Sequence, residues 1–216
     1  MIICVAARMK SKRCPGKALA NLYGKQLILR LFDRLAPTGL KAVLCTSTHK
    51  DDRVLADACR MAGIEVYQGS ENDVMERFLA VADKHQAANI IRVTGDNPLT
   101  DPDMMLKMVE EHLSVNPDYT RAVDMPAGTK CEIVKTEALR SLHDDLKADG
   151  TSIDTEYMTY DLQTLPTILE VPGGLDDTLS FTVDYPEQLK AIQAIYEYYK
   201  GKPPTLKEII GAGFGA

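Results

Sequence analysis

The sequence predicts an α/β fold with a mostly parallel central sheet and helices on both faces, and three observations in its first half point there. Residues 2–7, 41–47 and 89–94 are short apolar runs, as strands buried on both faces require. Between them lie segments whose apolar residues recur at helical spacing. The first and third runs end in loops rich in basic residues, glycine, aspartate and proline, where such a sheet holds its ligands.

Taken in order, residues 26–35 place Leu27, Leu31 and Leu35 on one helical face ahead of Pro37. A helix over 52–62 follows the second strand and stops at Gly63, and residues 64–67 form a short strand. Asn72 or Asp73 caps the next helix, in which Val74, Phe78, Val81 and Ala82 share a face. After the third strand, Asp101 is an N-cap and Pro102 a first helical residue. From about Tyr119 the alternation weakens. Strand-like stretches at 131–134, 168–171 and 179–184 mix with helices over 136–146 and 186–200. There is neither linker nor repeat, so residues 1–216 read as one domain.

The composition excludes several classes. A net charge of −6 leaves no broad basic face for a nucleic-acid backbone, although one basic loop is enough for a triphosphate. Five cysteines without a CxxC pair suggest neither a disulfide framework nor a zinc site. Residues 2–7 are too short for a signal sequence, and no run approaches the ~18 apolar residues of a membrane span. A reducing cytoplasm fits this pattern. His49, His85, His112 and His143 have no partners at triad or ligand spacing and are expected at the surface. No GxSxG elbow supports a serine nucleophile.

The strongest chemical signal follows the first strand. Five of the eleven residues from Ala7 to Lys17 are basic in an otherwise acidic chain. Arg8, Arg13 and Lys17 can form charge-assisted bonds to β- and γ-phosphates, with Ser11 and loop amides as neutral donors. The Walker pattern is absent, and a solvated basic loop is the plain alternative. Asp96, in Thr94-Gly95-Asp96-Asn97-Pro98, and Asp184, in Thr182-Val183-Asp184-Tyr185-Pro186, each close an apolar stretch. Two such carboxylates suit magnesium, which completes its octahedron with phosphate oxygens and water. A turn residue for Asp96 and a helix N-cap for Asp184 are the competing readings. Asp101 and Asp103 imitate a DxD motif, but capping explains them better.

Five segments in order, ARMKSKRCPGK, TSTHKDD, GSENDVMERF, RVTGDNPLTDP and FTVDYPEQL, resemble the cytidylyltransferases of the spore-coat polysaccharide protein F type. That group is similar to the synthetases of CMP-activated 3-deoxy-octulosonate and sialic-type sugars. The resemblance implies a Rossmann-like nucleotide-diphospho-sugar transferase fold of the glycosyltransferase-A type. It implies a nucleotide-binding half over 1–118 and an acceptor-side half over 119–216. It also implies transfer of CMP from CTP to a small acceptor, with magnesium as cofactor and pyrophosphate released. On matching positions, Arg8, Ser11, Arg13, Gly16 and Lys17 would bind the triphosphate, and Asp96 and Asp184 the metal. Arg77 would lie near the nucleobase with Ser70 beside it. Glu132 and Glu156 would contact the acceptor. Lys130 stands where relatives carry an acid, Arg121 where they often carry a small polar residue, and Ser180 where an arginine is common. The two added cations suggest an anionic acceptor such as a sugar acid, phosphate or phosphonate. A uridylyl- or guanylyltransferase for a sugar phosphate, or a non-catalytic nucleotide-binding partner, are the alternatives. The expected partners are CTP and the acceptor, with neither nucleic acid nor membrane, and a homodimer is compatible.

Overall fold

The computed structural model describes residues 1–148, 154–155 and 158–215. Apolar strand and helix faces order the chain as follows: β1 (Ile2–Ala6), a small hairpin β2 (Asn21–Leu22) and β3 (Lys25–Gln26), α1 (Leu27–Leu35), β4 (Ala42–Ser47), α2 (Arg53–Met61), β5 (Glu65–Gly69), α3 (Val74–Lys84), β6 (Asn89–Thr94) and α4 (Pro102–Val115). The second half adds β7 (Tyr119–Val123), β8 (Glu132–Lys135), α5 (Thr136–Ala148), α6 (Met158–Leu162), β9 (Ile168–Pro172), α7 (Pro186–Tyr198) and α8 (Leu206–Gly211).

Seven strands form one sheet in the order β5-β4-β1-β6-β8-β7-β9. The pairs along β5-β4-β1-β6 are parallel, β8 runs against both neighbours, and β7 and β9 are again parallel. Side chains alternate across the sheet, so Ile3, Val5, Ile91 and Val93 face α1, α2, α4 and α7. Ile2, Cys4, Ile90 and Tyr119 face α3, α5 and α6. Two apolar layers on one sheet are what the near-continuous hydrophobic strands demand.

Three expectations are corrected. Residues 179–184 do not form a strand: they run extended beside residue 127, with a single bridge between Ala127 and Ser180. Gly128 explains the close approach, since a side chain there would strike the Thr182 and Phe181 backbone. Conversely, Tyr119–Val123 is a strand that its mixed polarity hid. The histidines are not all at the surface, because His112 and His143 are buried.

His112 makes a testable stability element. Its ring nitrogens meet Thr120 Oγ1 at 2.8 Å and Asn89 Oδ1 at 3.0 Å, which satisfies the neutral imidazole. Burial, aided by Lys135, pushes its pKa down to about 4. The unfolded chain therefore takes up this proton first, and stability falls as pH drops from about 6.5 towards 4. In His112→Gln, urea melts across that range should show a shallower pH dependence than wild type.

Candidate functional site

The basic loop leaves the carboxyl end of β1 and folds onto itself: Met9 O accepts both Ser11 N (3.0 Å) and Gly16 N (3.2 Å). Ser11 turns its hydroxyl inward and accepts Cys14 N at 3.3 Å. Gly16, at φ 74°, takes the left-handed conformation that delivers Lys17 back to the rim. Beneath the loop lies Asp52, buried, whose Oδ1 accepts Met9 N at 2.6 Å and whose Oδ2 accepts the Ser47 hydroxyl. Asp52 was not singled out in the sequence, although a carboxylate pair just after the second strand was visible there.

Lys17, Asp96, Asp184 and Arg13 meet at one point. Lys17 Nζ lies 2.8 Å from Asp96 Oδ2, 3.3 Å from Asp184 Oδ1 and 2.5 Å from the Val183 carbonyl. Arg13 reaches Asp184 Oδ1 from the other side at 2.8 Å, and Asp184 raises its pKa. The backbone fixes both carboxylates: Gly95 N donates to Ala6 O (2.8 Å), and Val183 N donates to Asp96 O (3.0 Å). Gly95 has no room for a side chain, because a Cβ would stand 2.5 Å from that of Ala7. Asp184 is not the cap of α7, since Gln188 Oε1 takes Asp184 N and Tyr185 N, leaving its carboxylate to the cations. Asp101 does cap α4, accepting Asp103 N and Met104 N.

Two carboxylates converging on one cation have the donor set that magnesium accepts, with its remaining positions left for phosphate and water. Among the described residues no group of three or more His, Cys, Asp or Glu side chains forms a fuller metal cage.

A second group surrounds the loop between β5 and α3. Arg77 is buried and donates to Ser70 O (2.7 Å) and Glu71 O (3.3 Å), while Arg8 donates to the same Glu71 carbonyl at 2.9 Å. Burial first, and then the nearby charge of Arg8, lowers the Arg77 pKa. Ser70 meets Arg77 through its carbonyl, and its hydroxyl accepts Asp73 N. Arg8 and Arg77 thus converge on one carbonyl beside the basic loop.

The third group crosses the sheet. Register aligns Arg92, Glu132, Arg121 and Glu170 in one row over β6, β8, β7 and β9. Glu132 is buried and bonded to Arg92, the Tyr119 hydroxyl and Thr159 Oγ1, and Arg121 pairs with Glu170. Arg92 and Tyr119 were missed in the sequence, although an arginine inside an apolar strand was a usable signal. Lys130 makes no ion pair or side-chain hydrogen bond among the described residues and lies on the segment packed against Phe181 and Thr182. Glu156 lies outside the described residues.

A solved cytidylyltransferase from Leptospira borgpetersenii superposes with a TM-score of 0.85 at 22% identity, covering 98% of this chain and 92% of its own. The CMP:2-keto-3-deoxy-manno-octonic acid synthetase solved in complex with CTP superposes at 0.68 and 15% identity, covering 92% and 98%. At such identities both show the fold, which is of the Rossmann-like nucleotidyltransferase type. In sequence, the spore coat polysaccharide biosynthesis protein SpsF of Bacillus subtilis is 28% identical over 94% of this chain and 89% of its own. The 3-deoxy-manno-octulosonate cytidylyltransferase of Trichlorobacter lovleyi is 31% identical over 75% of this chain and 60% of its own. The cytidylyltransferase family model matches residues 2–212, and the chain belongs to that family.

Proposed function

We propose that this cytidylyltransferase moves CMP from CTP to a small anionic acceptor in the cytoplasm, with magnesium and with release of pyrophosphate. The observation supporting it best is the convergence of Lys17, Arg13, Asp96 and Asp184 at the rim where the basic loop ends. Phosphoryl-group transfer of this kind needs positioning and charge stabilisation rather than a protein nucleophile. Asp96 and Asp184 would hold the metal, which when bound supplies Lewis-acid charge neutralisation at the phosphates. The Met9–Gly16 turn, held from below by Asp52, presents the cations of the loop to the triphosphate. Arg8 and Arg77, joined through Glu71 O, border the position proposed for the nucleobase. Pyrophosphate release from CTP, against UTP and GTP and with a panel of acceptors, tests the nucleotide and the acceptor class together.

The anionic acceptor rests on Lys130. Arg92 and Arg121 are matched by Glu132 and Glu170, whereas Lys130 makes no ion pair among the described residues and keeps its charge for a ligand. Glu132 keeps about one of the four lone-pair positions of a carboxylate for an acceptor hydroxyl. Lys130→Asp should lower kcat/KM for the true acceptor at least tenfold while leaving CTP affinity within about twofold. Equal turnover in that variant, or a preference for neutral polyols, would count against an anionic substrate.

A further inference from the structure

A lysine ammonium has three N–H donors, and those of Lys17 meet three acceptors: Asp96 Oδ2, Asp184 Oδ1 and Val183 O. Its side chain is only 12% exposed. With Arg13 on Asp184, two cations face two carboxylates, and the cluster is formally neutral. A lysine held in this way has no donor left for a phosphate. Equally, an ion approaching both carboxylates meets the ammonium already between them.

We infer that Lys17 is an internal counter-ion that exchanges with the metal, so that divalent ion and nucleotide bind as one coupled event. The inference rests on the metal–nucleotide reading of the site given above. Charge explains the coupling. An ion entering alone would expel Lys17 and weaken the hold on Arg13, with no anion to receive them. A triphosphate entering alone would meet two carboxylates still neutralised by the cations it needs. When both enter, the carboxylates pass to the ion, and Lys17 and Arg13 pass to the phosphates. Each ligand then raises the affinity of the other by the same factor.

The exchange predicts which side chain governs binding of the bare ion. Mn2+ is titrated by water-proton relaxation enhancement, which separates protein-bound ion from the small Mn–CTP complex, with acceptor omitted. Wild type should bind Mn2+ alone at least tenfold more weakly than Lys17→Met, and CTP should raise the wild-type affinity more than tenfold. In Lys17→Met that enhancement should shrink, and Arg13→Met, which removes a charge from Asp184 alone, should gain clearly less Mn2+ affinity than Lys17→Met, which frees both carboxylates. Lys17→Gln replaces the methionine variant if thermal melts show the latter to be unfolded. Equal Mn2+ affinity in wild type and the Lys17 variant, or an equal gain in Arg13→Met, overturns the exchange. No protein-bound Mn2+ in any variant, with or without CTP, overturns the metal reading itself.

Discussion

Asp96→Ala and Asp184→Ala should each lower kcat by at least about a hundredfold, the scale expected when a preorganised electrostatic partner of the reacting phosphates is removed. Asp96 follows β6 and Asp184 follows the non-strand segment 179–183, yet both reach the same ammonium, at 2.8 and 3.3 Å. Neither is deeply buried, with side chains 27% and 30% exposed, so truncation should leave melting temperatures within a few degrees of wild type. Each variant still leaves Lys17 one carboxylate and the Val183 carbonyl. Their CTP titrations should show weakened binding at saturating magnesium, and the conservative Asp96→Asn should recover little, since a neutral amide does not replace an anionic metal ligand. Near-wild-type turnover in either alanine variant would remove that residue from the proposed metal site. A collapse of the melting temperature instead would assign the pair to folding.

Much of this arrangement was readable in the residues, for identifiable reasons. Strands β1, β4 and β6 are buried on both faces, so their apolar runs stood out without periodicity, and the loops closing them were fixed as rim loops. That was enough to put Lys17 and Asp96 on one edge. For Asp184 the sequence pattern is right about the rim and wrong about the element: its apolar run reads as a strand, whereas 179–184 is held by pairing with residue 127 and by Val183 N on Asp96 O. Tyr119–Val123 escaped because three of its residues, Tyr119, Thr120 and Arg121, are polar or amphipathic yet sit inside a sheet. Buried His112 and His143 escaped because a sequence shows a histidine but not its partners. Those are Thr120 and Asn89 for His112, and Asp73 for His143. Asp52 and Glu71 join the loop through contacts 43 and 63 residues away in the chain, which local pattern does not show.

The same long-range logic governs the second large effect, the loss of Glu132. Its Oε1 accepts the Tyr119 hydroxyl, and its Oε2 accepts Arg92 and Thr159. Arg92 and Glu132 expose only 15% and 11% of their side chains, and Arg92 Nε already has no hydrogen-bond partner. Burial and the adjacent carboxylate raise the Tyr119 pKa, so the phenol stays a neutral donor. Glu132→Ala would strand a guanidinium and a hydroxyl together on the sheet face that packs against α3, α5 and α6. Breaking one side of a buried pair costs about 3–5 kcal/mol, which for a chain of this size means a fall in Tm of roughly 6–20 °C. Glu132→Gln keeps the volume and an acceptor but not the charge, so its loss should be smaller. Replacing both partners, as in Arg92→Met with Glu132→Leu, removes the uncompensated charge and should recover most of the stability. Differential scanning calorimetry of the three variants decides the matter. If Glu132→Ala melts with wild type, the row across β6, β8 and β7 is not a buried network in solution. If the double variant is as unstable as Glu132→Ala, the cost lies in lost packing rather than in the stranded arginine.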